Sequence, residues 1–193
     1  MIVKLIDKKR FREMPWANGG GVTTELYLHT DAQTGRMLWR LSIAGVDTDG
    51  PFSHFPGYDR VLVLLEGAGL TLNYDDGTVD RLSRVYELAA FPGEVATQAT
   101  LVNGPIRDFN LIADRRSYVP AVTIVTPDSN SVAVNSEHLA IFAVDNRLHV
   151  VDPVSTNHSV PQGDLLLVDT PAAGEWVLSG ATAIVIQLST GRN

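Results

Sequence analysis

The sequence predicts an all-β fold, a sandwich or barrel, on three observations. Short runs of alternating or wholly apolar residues recur along the chain, turn residues separate them, and almost nothing carries a helical period. The first segment, around Asp7 to Arg12, has room for a short helical stretch only. Leu38 to Ala44 alternates strictly, setting Trp39, Leu41 and Ile43 on one face and Arg40, Ser42 and Ala44 on the other. Val61 to Leu65 is apolar at every position, as in a strand covered on both sides. Leu70 to Tyr74 and Thr78 to Leu82 flank Asp75-Asp76-Gly77, which predicts a hairpin. Leu139 to Val144 and Leu148 to Val151 flank Asp145-Asn146-Arg147 and predict a second one. Further strands are expected at Leu165 to Val168, Glu175 to Leu178 and Ala181 to Leu188. Pro56-Gly57, Pro92-Gly93 and Gly104-Pro105 punctuate the runs.

Composition narrows the class of function. The 193 residues carry 22 acidic and 15 basic side chains, a net charge of −7. An acidic chain without a clustered basic surface argues against a nucleic-acid partner. No apolar run has transmembrane length and the first residues lack a secretory h-region, so a soluble, cytoplasmic protein is expected, with no membrane partner. Cysteine is absent, which removes disulfides, thiolate nucleophiles and thiolate-bound metals together. All three lysines stand in the first nine residues, so any anion met in the body of the chain is met by arginine.

A composition shift near Arg115 to Pro120 suggests two closely packed halves, residues 1–116 and 117–193, with strands free to be exchanged between them. The unusual motifs all lie in the first half. Pro51 to Gly69 has the outline of the first cupin motif: a turn, an apolar strand and a Glu66-Gly67-Ala68-Gly69 hairpin. Aligned on Gly67, the metal-ligand positions of that motif fall on Ser53, Phe55 and Arg60, and the later histidine position on Ala96. None is a metal ligand, and His54 lies between two inward positions, so neither a metal nor another cofactor is expected.

What is left is a barrel with a charge inside it. A buried guanidinium has to be paired, so Arg60 implies a carboxylate from the protein or from a ligand. Arg40 with Ser42, and Asp108 with Asn110, share strand faces in the manner of polar groups displayed inside a barrel. Two readings stay open: Arg40, Arg60, Asp108 and Glu25 close the barrel as a buried network, or they form the floor of a pocket. Gly19-Gly20-Gly21 admits positive φ and close backbone approach, either as a tight turn or as an anion-binding nest beside Asn18, Thr23 and Glu25. No Gly-x-Ser-x-Gly elbow occurs, and for acid–base work a pair such as Glu25 with Asp108 is the available one.

These motifs resemble the HutD/Ves family of bicupins. The stretches that carry the resemblance are Pro15 to Leu26, Trp39 to Ala44, Gly50 to Arg60, Leu64 to Gly67 and Asp108 to Leu111, in order over about residues 15 to 115. The family usually has a basic residue where Ala17 stands and an arginine where Thr24 stands. The resemblance implies a bicupin of two RmlC-like jelly-roll barrels in one chain, the C-terminal one degenerate, without a metal. It implies a non-catalytic binder of a small anionic metabolite, a histidine-degradation intermediate such as urocanate, formiminoglutamate or N-formylglutamate, with a homodimer as one admissible assembly. In that reading Arg40 and Arg60 hold the carboxylate, and Asn18, Ser42, Ser53 and Asn110 supply neutral hydrogen bonds. Phe55 and Phe91 form the apolar wall, and Asp108 and Glu25 orient the arginines. The rivals are a metal-free isomerase or hydrolase with Glu25 or Asp108 as general base, and an interaction module without a ligand.

Overall fold

The computed structural model describes residues 1–17 and 19–191. After β1 (Ile2–Ile6) and one 3-10 turn at Lys8–Arg10 come β2 (Arg12–Pro15), β3 (Gly21–Thr30), β4 (Met37–Val46), β5 (Gly50–Pro51) and β6 (Tyr58–Glu66). They are followed by β7 (Leu70–Tyr74), β8 (Val79–Leu82), β9 (Leu88–Pro92), β10 (Thr97–Leu101) and β11 (Ile106–Asp114). The remaining strands are β12 (Tyr118–Val125), β13 (Ser131–Val134), β14 (His138–Ala143), β15 (Leu148–Val151), β16 (Asn157–Val160), β17 (Leu165–Asp169), β18 (Gly174–Ser179) and β19 (Ala183–Thr190). The expected helical stretch is that single 3-10 turn. No helix among the described residues is long and apolar enough to cross a membrane.

The chain divides into two units, Phe11–Ser117 and Met1–Arg10 with Tyr118 onward. The expectation that residues 1–116 stay together therefore meets a difference at the N-terminus. β1 pairs antiparallel with β17, and Lys8 donates its backbone N–H to Asp164 at 3.0 Å, so the first ten residues belong with the later strands.

In the unit Phe11–Ser117 a six-stranded sheet, β2-β3-β4-β11-β6-β9, faces a four-stranded one, β5-β10-β7-β8. Ala44, Leu62, Leu64, Phe91 and Ile106 of the first pack with Leu70, Leu72, Leu82 and Ala99 of the second in one core. The alternate side chains of the larger sheet, Trp39, Leu41, Val63, Phe109 and Leu111, are buried as well, which is why β6 reads as unbroken apolar sequence. The β7–β8 hairpin forms around Gly77 at φ 86°, with Thr78 N–H bonded to Asp76.

The other unit has a five-stranded sheet, β1-β17-β14-β19-β12, and a four-stranded one, β13-β18-β15-β16, around a core that includes the fully buried Trp176. The hairpin expected at Asp145-Asn146-Arg147 is not one. β14 pairs with β17 and β19, whereas β15 pairs with β16 and β18, so the turn carries the chain from one sheet to the other. Asp145 accepts from the Thr182 N–H at 2.8 Å and anchors that corner, work that a two-stranded turn would not need.

Candidate functional site

The site is set by register. Arg40 on β4 stands opposite Ile112 on β11, Ile112 opposite Arg60 on β6, and Arg60 opposite Phe91 on β9. One step along is the row Glu25, Ser42, Asn110, Leu62, and after it the row Thr23, Ala44, Asp108, Leu64. Side chains directly opposite one another in a ladder share a face, so three rows bring Arg40, Arg60, Ser42, Asn110 and Asp108 to one side of the sheet.

Those side chains line a cavity of about 370 Å³, closed further by Trp16, Ala17, Phe52, Ser53 and Phe55. The segment 52–57 is held rather than loose: Phe55 N–H donates to Gly93 O at 2.7 Å, and Arg115 grips Asp59 and Glu94 at 2.6 and 2.7 Å. His54 turns away from the cavity and meets the Glu94 carbonyl. The glycine run closes the β2–β3 turn, with Trp16 N–H bonded to Gly21 O. A Cβ on Gly21 would stand 2.2 Å from Gly45 O, so close backbone packing demands glycine there.

The two arginines are not equivalent. Arg60, 6% exposed, donates to Ser53 O and to Asn110 Oδ1, each at 3.1 Å, and its Cζ lies 5.0, 5.3 and 5.6 Å from the Phe91, Phe52 and Phe55 ring centres. Arg40 lies 5.6 Å from the same Phe55 ring but donates no hydrogen bond to a described residue, and its buried Nε has no partner among them. Burial pushes the Arg60 guanidinium down to about 10, with Asp108 opposing and the like charge of Arg40 adding to the fall. It stays charged at neutral pH. Burial lowers Arg40 too, with Glu25 opposing.

Asp108 is fully buried and is the one carboxyl on the cavity wall among the described residues. Burial pushes it up to about 7, against the pull of Arg60 and of the Asn110 hydrogen bond. Asn110 is the link between the two charges: its Oδ1 accepts from Arg60 and its Nδ2 donates to Asp108 Oδ1. Asp108 Oδ2 is left without a partner among the described residues, as is Arg60 Nε.

Ser42, Ser53, Phe55, Arg40, Arg60, Asp108 and Asn110 thus come together. Two expected members, Phe91 and Glu25, are not among the residues that line the cavity. Phe91 packs against Arg60 from β9, and Glu25 faces Ser42 near a bulge in β3, where Arg40 feels its charge. Asn110 is on the wall and spends one amide donor and one acceptor site on the protein's own charges. Asn18 lies outside the described residues. Trp16, Phe52 and Ile112 were not expected. Trp16 and Phe52 lie inside the Pro15 to Leu26 and Pro51 to Gly69 motifs, and Ile112 falls in register between two arginines, which no single strand reveals. Ala17, where the resemblance puts a basic residue, is on the wall, and Thr24 is not.

Cupin barrels imply a metal, and these residues do not fit one. Ser53, Phe55 and Arg60 occupy the wall without a metal ligand among them, and Ala96 is off this cavity.

Known proteins resemble this chain in sequence and in fold. Over 116 residues the chain is 38% identical to an uncharacterised 21.2 kDa protein of the hutC 3′ region of Pseudomonas putida, a match that spans 60% of each chain. Over 149 residues it is 34% identical to protein Ves of Escherichia fergusonii, covering 75% of this chain and 76% of that one. Its fold superimposes on HutD from Pseudomonas fluorescens SBW25 in a formate condition, with a TM-score of 0.84, 28% identity and coverage of 99% and 100%. A nickel(II)-bound bacterial pirin from Escherichia coli, 10% identical with a TM-score of 0.67, shares the fold alone, which is that of the bicupins. The model of the HutD family matches residues 8–186, nearly the whole chain, and the chain belongs to the HutD family.

Proposed function

We propose that the cavity of the Phe11–Ser117 unit binds a small carboxylate, a histidine-degradation intermediate of the urocanate, formiminoglutamate or N-formylglutamate kind, and that binding moderates histidine utilisation without a chemical step. Family membership links the chain to histidine utilisation. The observation that carries the ligand class is Arg40. It is a guanidinium in an aromatic-walled cavity, beside a second guanidinium, with no hydrogen-bond partner among the described residues. A carboxylate satisfies such a fork with two parallel bonds and relieves the repulsion between the two cations.

The test is thermal unfolding with urocanate, formiminoglutamate, N-formylglutamate, histidine and glutamate. A ligand at a hundred times its Kd adds ~2.7 kcal/mol, a rise in Tm of roughly 5–10 °C at this chain length. Arg40→Gln is the variant to use, because removing Arg60 also unpairs Asn110 and Ser53 O and strips the charge beside Asp108. A selective shift by one compound, lost in Arg40→Gln, supports binding. A flat panel over a clean transition favours the closed network of Arg60, Asn110 and Asp108.

One observation favours a second reading. A buried carboxyl held near neutrality on a cavity wall is what a general base requires, and Asp108 meets that description. Turnover with a carboxylate limb in its pH profile, abolished by Asp108→Asn, would establish an enzyme.

A further inference from the structure

We infer that the carboxylate enters this cavity together with one proton, which Asp108 takes up on Oδ2, so that the ligand must face Asp108 with an acceptor oxygen. The inference rests on the binding reading above and says what kind of carboxylate fits.

The geometry leads to it in three steps. Asp108 is the single acid on the described wall, and it shares that wall with Arg40 and Arg60. Its Oδ1 is taken by Asn110, whereas Oδ2 is buried with no donor from any described residue. The charge that supports an ionised Asp108 is Arg60, reached through Asn110. A carboxylate drawn to the two arginines places a second negative charge in the same cavity and competes for Arg60. Two carboxylates sharing one low-dielectric site hold a proton between them.

The proton balance is simple. The ionised fraction of Asp108 takes one proton from solvent, no other bond is made or broken, and the new Oδ2–H donates to the ligand. The oxygen that receives no hydrogen bond from the described residues becomes the donor to the ligand. Other groups facing this region do not supply that proton. Arg40 on β4 and Arg60 on β6 stay charged, and Glu25 on β3, whose charge Arg40 feels, is not on the cavity wall. Tyr74 on β7 has its hydroxyl bound to Asp80 and is pushed up by burial, and Thr23 carries no charge. Asp108 itself is held at about 7, so its free form is part-ionised in the physiological range.

The experiment uses acetate, glutarate and N-formylglutamate, carboxylates that stay ionised throughout the window. Titration calorimetry is run from about pH 6 to 8.5, and near pH 7.5 in two buffers of different ionisation enthalpy. The expected result is affinity level at the acid end, falling towards tenfold per pH unit above about 7, with proton uptake approaching one per ligand at the alkaline end. Asp108→Asn binds with no pH slope, and His54→Gln, the histidine of the wall segment, keeps the slope. Binding that is flat with pH, or the same heat in both buffers near pH 7.5, overturns the inference and leaves the binding reading standing. A pH slope that persists in Asp108→Asn overturns it too. Failure of all three probes to bind at any pH removes the reading itself, and the inference with it.

Discussion

At the scale of single residues the site is a contest between desolvation and charge. Arg60 is held by two hydrogen bonds and three aromatic faces, so its burial is compensated by the protein. Asp108 has one hydrogen bond and an orphan oxygen, and it is the group that yields. Its carboxyl moves from an ordinary 3.8 to about 7, so the folded state favours the protonated form. The stability this gives is complete below about pH 4, is lost as pH rises towards 7, and changes no further above that. Glu87 and Glu94, depressed to about 2 by hydrogen bonds from backbone amides and arginines, act in the opposite sense and lose their contribution below about 4.5. Asp108→Asn should therefore gain on the parent protein between pH 5 and pH 8, by at most a few kcal/mol. Urea unfolding of both at the two pH values checks it, and an equal pH dependence would show that the carboxyl is not strained.

At the scale of elements the wall segment 52–57 matters most, since it brings Phe52, Ser53 and Phe55 over the arginines. Its seat is Gly93, where a Cβ would stand 2.4 Å from Phe55 O, 2.9 Å from Phe55 Cβ and 3.0 Å from Tyr58 O. Backbone cannot give way cheaply, so Gly93→Ala should shift the segment, lower stability by about 1–3 kcal/mol and weaken ligand binding. Arg115→Ala removes ion pairs that are two-fifths exposed and should cost no more than about 1 kcal/mol. Denaturant curves and ligand titration of the two variants side by side test that ranking. The turn at Asp145-Asn146-Arg147 teaches the complementary point. Its flanking strands have hairpin composition, yet they pair elsewhere, because turn chemistry does not specify which sheet the next strand enters.

At the scale of the whole molecule, a chain of net charge −7 keeps a cavity with two guanidinium groups, so anion binding there depends on local field rather than on overall charge. The N-terminus has a structural task of its own. β1 covers β17, whose sequence Leu165–Asp169 is almost wholly buried. Deleting Met1–Arg10 should leave an apolar edge strand uncovered, with faster amide exchange at Leu165–Asp169 and association of the protein. Hydrogen exchange and light scattering of the shortened chain measure both, and unchanged exchange would show β1 to be dispensable.

The all-β class, the β7–β8 hairpin and the shared faces of Arg40 with Ser42 and Asp108 with Asn110 were determined by the sequence alone. Each depends on the two-residue pleat or on turn chemistry within a few residues, and both are local. Long-range pairing decided the rest. Only strand order sets Arg40, Ile112 and Arg60 in one row, brings Phe91 against Arg60, and moves the first ten residues into the other unit. The Asn110 bridge, and the orphan oxygen it leaves on Asp108, exist only once β11 is placed between β4 and β6. Periodicity records which way a side chain points. What it meets there depends on packing between strands far apart in the chain.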